Sequence, residues 1–177
     1  MLSVRKPSAA AAVQPVPDRE PIGRGLVIVG AHAGAGAGTL ATLIGRDRDV
    51  PVWNMGAIDR LVEDSLPPVR ARGRPVVVVA RNTVMAAQHA IRAVTALDAA
   101  GGPRIAALVI VSDGAGREPR DATTRFALLQ GRVGGLVRLP FINALRLVNS
   151  PDEVETSAKT REAIGQVWDL AFPQSHC

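Results

Sequence analysis

Three short apolar runs, GLVIVG (25–30), PVVVVA (75–80) and RIAALVIVS (104–112), constrain this chain more than any other feature. A strand with one wet face alternates apolar and polar residues. A run that is apolar at nearly every position and rich in Val and Ile belongs to a strand buried on both faces, as in parallel sheets. VPVW (50–53) and GGLVRLP (134–140) are weaker strand candidates. The stretches between have helical character. TLATLIGR (39–46) continues directly from a glycine-rich turn, and TVMAAQHAIRAVTAL (83–97) sets Val84, Ala87, Ile91 and Val94 at three- and four-residue spacings, one apolar helix face. DATTRFALLQG (121–131) opens on Asp121 as a candidate cap and stops at Gly131. The last segment begins SPDE, with Ser150 as N-cap, Pro151 at the first helical position and Glu153 completing a capping box. Ile164, Val167, Trp168 and Ala171 supply its apolar face.

Strands of this kind alternating with helices predict an α/β fold, a single-domain parallel sheet with flanking helices. The predicted domain spans 25–148, with a C-terminal helix in 149–172 packing on or beside it and a tail at 173–177. Residues 1–24 carry Pro7, Pro15, Pro17 and Pro21 without apolar periodicity, the pattern of a disordered N-terminal arm. In parallel sheets ligands sit at the carboxyl ends of the strands, so the turns after 30, 80, 112 and 139 are where function is to be sought.

Composition excludes several classes. A chain of 177 residues buries roughly 70% of its unfolded surface without covalent staples. Its lone cysteine, Cys177, supports neither a disulfide framework nor a zinc knuckle. His32, His89 and His176 form no metal-ligand spacing. There is no Tyr, so stacking on single-stranded nucleic acid is poorly supplied. The net charge is +5 and the isoelectric point about 10.9, but 19 of the 21 basic residues are Arg, which stays charged to very high pH. Residues 25–148 carry +6 and residues 149–177 carry −3. Arg70, Arg72 and Arg74, and then Arg117, Arg120 and Arg125, form two cationic groups. They read as a solvated surface ahead of a DNA-phosphate contact. No run is long enough to span a bilayer, and the Ala run near the start is too weakly apolar for a secretory signal. A cytoplasmic protein with no membrane insertion is expected.

The densest signal is GAHAGAGAGT (30–39), joining the first strand to the first helix. Gly30, Gly34, Gly36 and Gly38, with small residues between them, let successive backbone N–H groups turn inward, a nest suited to phosphate at a helix N-terminus. A tight turn without ligand is the plain alternative. VIVGAHAGAGAGTLA resembles the deviant Walker A strand–loop–helix of the MinD/ParA class of P-loop ATPases, whose pattern runs K-G-G-x-G-K-T-T. Laid on it without a gap, His32 stands at the signature lysine, Ala33 and Gly34 at the glycine pair, and Gly36 at the next glycine. Ala37 stands at the phosphate lysine, Gly38 at the magnesium hydroxyl and Thr39 at the second threonine. The resemblance extends loosely over 25–148, and the whole chain is similar to a group of uncharacterised actinobacterial proteins often carried on conjugative or integrative elements. It implies a truncated P-loop NTPase-like fold, an ATP, ADP or phosphate ligand, and an accessory role, with a protein partner or a second copy, in plasmid or mobile-element maintenance or transfer.

The departures from the pattern set the expected chemistry. Phosphoryl transfer depends on a Lys at the phosphates, a hydroxyl and an Asp on Mg²⁺, and a group that places the water. The lysine is Ala37, and the only lysines of the chain are Lys6 and Lys159. PVVVVA ends in Arg81 where a metal-binding Asp would serve, and the 36 residues between Thr39 and Val76 leave little room for two further strands. Each missing charge typically costs about 10²- to 10³-fold in rate. A degenerate, non-hydrolytic protein is therefore expected, with no side-chain Mg²⁺ site. Phosphate binding survives, because the nest and the helix dipole need no side chain. His32, Arg81 and Asp113 are the side chains that can add to such a site; for Asp113 the Asp-Gly pair equally suits a turn. The alternatives are an ATPase completed by a cation from a partner, and a basic DNA-associating module.

Overall fold

A computed structural model describes residues 25–58, 71–99, 102–114 and 116–173. Among them lie strands β1 (Leu26–Gly30), β2 (Val52–Ala57), β3 (Val76–Arg81), β4 (Ile105–Val111) and β5 (Leu136–Leu139). Four helices accompany them, α1 (Ala37–Arg48), α2 (Val84–Ala99), α3 (Arg120–Ala127) and α4 (Ala158–Ala171). The strands form one sheet in the order β2-β1-β3-β4-β5, and every neighbouring pair is parallel. The α/β class with a parallel sheet and flanking helices is thus the fold. The predicted arm at 1–24 lies outside the described residues, as do Cys177 and most of the tail.

Strand side chains alternate between two separate cores. Leu26, Ile28, Val77 and Val79 pack with α1 and α4 on one face, and Val27, Val29, Val76 and Val78 pack with α2 and α3 on the other. All five residues of β1 and the first five of β3 are buried, which is why their sequences show no polar alternation. The chain runs from β1 through α1 to β2, then returns across β1 to β3 and continues outward through β4 to β5. Right-handed crossovers in opposite directions place their helices on opposite faces. The reversal makes the β1/β3 boundary the switch point of a doubly wound sheet, where the connections leave toward different sides and open a crevice.

The helix ends differ from expectation in three places, each for a tertiary reason. α3 ends at Ala127 instead of Gly131, and Leu129, Gln130 and Arg132 donate three residues back, a tightening that turns Leu129 into the core beside Phe126. Its N-cap is Pro119, with Asp121 inside the first turn. SPDE does not start the last helix: Pro151–Glu153 makes a single 3₁₀ turn, and Ser150 caps nothing with its side chain. Arg46 on α1 donates to the carbonyls of Asp152 at 2.9 Å and Val154 at 2.8 Å, holding Val154 extended and buried. α4 then begins at Ala158, capped by Ser157, whose hydroxyl accepts from the Thr160 N–H.

The first arginine group is also corrected. Arg74 is 1% exposed, with its guanidinium carbon 4.4 Å from the Trp53 ring centroid; Arg70 lies outside the described residues. A desolvated cation–π contact contributes about 2 kcal/mol, and the buried stem adds packing. Arg74→Ala is expected to lower unfolding stability by about 2 kcal/mol or more, read by denaturant titration; a loss under about 0.5 kcal/mol, the surface norm, would show the burial to be inconsequential. Arg117 and Arg120 are exposed as expected, while Arg125 donates to Gln88. Among the described residues no helix is long and apolar enough to cross a membrane.

Candidate functional site

The site forms where β1 ends. The Ala31 N–H still donates to the Val79 carbonyl at 2.8 Å, carrying the ladder with β3 one residue beyond the strand. The chain then turns through Gly34 (φ +75°) and Gly36 (φ +98°), left-handed positions that L side chains resist. Ala31 and Ala35 are buried, so the loop lies close against the end of the sheet. Gly36 is the N-cap of α1 and brings no side-chain acceptor; the first backbone bond of the helix is Leu40 N–H to the Gly36 carbonyl. Among the described residues nothing accepts from the N–H groups of Ala37, Gly38 and Thr39. Three unmatched donors at the positive end of a helix dipole are groups that favour an anion over a cation.

The aligned side chains do less than their backbones. The Ala37 methyl is packed into the α1–α4 core, so no side chain at the phosphate-lysine position reaches the loop. Thr39 is half-buried in the first turn. Gly38 offers no hydroxyl, and its carbonyl accepts from Thr42 Oγ1 at 3.1 Å.

Arg81, the last residue of β3, reaches across the crevice. Its Nε donates to the Gly34 carbonyl at 2.9 Å, and its Nη1 meets Asp113 Oδ1 at 2.6 Å just past β4. The three sequence candidates that lie on different strands, the glycine loop, Arg81 and Asp113, are therefore in one cluster. The ion pair is about half exposed (51% and 46%) and by itself adds only about 0–1 kcal/mol to stability. Its consequence is positional, a fixed cation at the rim of the loop.

His32 is turned onto the protein. Its Nδ1 donates to the Ala33 carbonyl at 2.8 Å, and its Nε2 accepts from the Arg81 N–H at 3.4 Å. Its ring also meets His89 of α2, with centroids 5.7 Å apart. His32 thus ties the loop to β3 and to α2. No sequence signal pairs it with His89, because one sits on the loop and the other in a helix of the opposite layer. Among the described residues no three His, Cys, Asp or Glu side chains gather as a metal site.

β2 is the single strand described between Thr39 and Val76, and it flanks β1 on the side away from β3. Its Asn54 is buried and accepts from the Gly56 N–H at 3.0 Å, shaping the strand end beside Gly30. No known family model and no curated protein matches this sequence.

Proposed function

We propose that this chain binds the phosphate groups of ATP or ADP, or free phosphate, at the β1–α1 loop and does not hydrolyse them. The observation that carries the proposal is Arg81: a guanidinium from β3 held 2.9 Å from the Gly34 carbonyl supplies a cation beside a loop that lacks the lysine of the P-loop pattern. Arginine presents several donors in a fixed fork and suits phosphate oxygens. Turnover needs more, a metal-holding acid and a group placing water. Asp113, the carboxylate in the cluster, is committed to Arg81. The resemblance to MinD/ParA proteins supports an accessory role, with a protein partner or a second copy of this chain, in the maintenance or transfer of plasmids or mobile elements. A DNA-associating surface has less support, since Arg74 is buried and Arg125 is engaged with Gln88.

Calorimetry and thermal shift with phosphate, pyrophosphate, ADP and ATP, with and without Mg²⁺, test this directly. Measurable heat and stabilisation are expected, the latter about 2.7 kcal/mol at ligand a hundredfold above Kd. Silence with all four ligands overturns the proposal. Release of phosphate from ATP by the purified chain overturns its non-hydrolytic part.

A further inference from the structure

At the end of β3 two consecutive side chains leave for opposite faces of the sheet. Arg81 goes to the glycine loop; Asn82 goes to the α2–α3 side, where it walls a cleft of about 250 Å³ between the ends of β3 and β4 and the segment leading into α3. Its backbone N–H is fixed to the Val111 carbonyl at 2.8 Å, and the residue is 5% exposed. Its side-chain oxygen is buried without any hydrogen-bond donor. A buried acceptor left unmet loses its hydration without replacement and destabilises the fold. Leu at this position would carry no such penalty, so the arrangement is one a binding site explains and packing does not.

The cleft's other groups define what it takes. Its two acids are committed, Asp113 to Arg81 and Glu118 to Arg138 at 2.6 Å, so it offers no unpaired carboxylate to a cationic ligand. Ser112 adds a hydroxyl and Arg117 an exposed guanidinium at the rim, where a phosphorylated ligand's charge is tolerated. The carboxamide carries an acceptor beside a donor, and a turn about its soft two-fold terminal torsion is what brings the buried oxygen to the cleft. That is the complement of a nucleobase edge such as the amino group and ring nitrogen of adenine. The volume falls below the roughly 300–1,000 Å³ of sites enclosing drug-sized ligands and suits one planar head group. Asp113 lines the cleft and also holds Arg81, which in turn holds Gly34, so cleft and loop adjoin across a single side chain.

We infer that the Asn82 cleft is a base subsite, and that the ligand of this protein is a nucleoside phosphate with its phosphates at the glycine loop and its base edge against the Asn82 carboxamide. The inference rests on phosphate binding at the loop and adds the identity of the head group. The experiment titrates wild type and Asn82→Ala with pyrophosphate, ADP and adenosine, alongside thermal melts without ligand. Wild type is expected to bind ADP about tenfold more tightly than pyrophosphate. In Asn82→Ala that advantage disappears, pyrophosphate binding is unchanged, and the ligand-free melting temperature holds or rises because an unmet acceptor is gone. The inference is overturned if ADP and pyrophosphate bind wild type equally, if Asn82→Ala keeps the tenfold difference, or if its melting temperature falls by several degrees, the mark of a structural residue. Pyrophosphate failing to bind while adenosine binds in an Asn82-dependent way would sink the loop reading and leave the cleft. Failure of all three ligands sinks both.

Discussion

Arg81→Gln weakens pyrophosphate binding by about tenfold or more, and Asp113→Asn strengthens it about two- to fivefold. A charge-assisted hydrogen bond contributes about 1.5–3 kcal/mol net, and the half-exposed setting of Arg81 places the loss at the lower end of that range. Asp113 acts in the opposite direction because it is an anion already seated on the guanidinium at 2.6 Å. An entering phosphate must share Arg81 with it and tolerate its charge. Removing that competitor gains only the small energy of an exposed pair, about 0–1 kcal/mol, which sets the modest upper bound. Calorimetry at two salt concentrations reads both variants, and both effects shrink as salt screens the site. Parallel losses in the two variants would make Asp113 a ligand-side residue and contradict its role as competitor. Unchanged affinity in Arg81→Gln would remove the cation from the site altogether.

Phe126→Ala lowers unfolding stability by about 3–5 kcal/mol. Phe126 is fully buried and anchors the short helix α3 in the α2–α3 core, where Ala122 and Leu129 are its α3-side neighbours in the same cluster. An eight-residue helix holds its place through tertiary packing, since isolated helices of that length are marginal in water. The loss corresponds to a drop of about 6–20 °C in melting temperature for a chain of this size. The glycine loop packs on the opposite face with α1, so if it binds pyrophosphate as proposed, variant protein that remains folded should do so with wild-type affinity. A loss below about 1 kcal/mol would mean that α3 is not cooperative with the sheet, and a selective loss of binding would couple the two layers.

Local pattern made the strands legible. β1, β3 and β4 appear in the sequence as unbroken apolar runs because each is covered on both faces, and the apolar positions of α4 at Ile164 and Val167 do line its buried side. β2 was the least legible: VPVW signalled only its start, and Asn54 and Gly56 in its second half break the apolar run. The buried face of α2 is carried largely by Ala86, Ala87, Ala90 and Ala93, small residues whose burial reflects close helix–sheet approach that hydrophobic periodicity weighs lightly. Helix ends are not legible in local sequence where a distant group intervenes: Arg46 on α1 claims the carbonyls of Asp152 and Val154, and the helix starts at the next good cap, Ser157.

The sequence by itself determined the α/β class, the position of the glycine loop between the first strand and the first helix, and the absence of a lysine there, because these depend on residue type and short-range order. Only the tertiary structure decided what surrounds that loop. The return of the chain across β1 sets β3 beside it, and this parallel register, pairing residues about fifty positions apart between β1 and β3 and about thirty between β3 and β4, carries Arg81 to Gly34 and Asp113 to Arg81. The same register, through the alternation of the pleat, sends Asn82 to the other face and buries its oxygen. Arg74 shows the converse: a cation that composition assigns to the surface is buried against Trp53, because burial is set by what the fold packs on a residue and not by its charge.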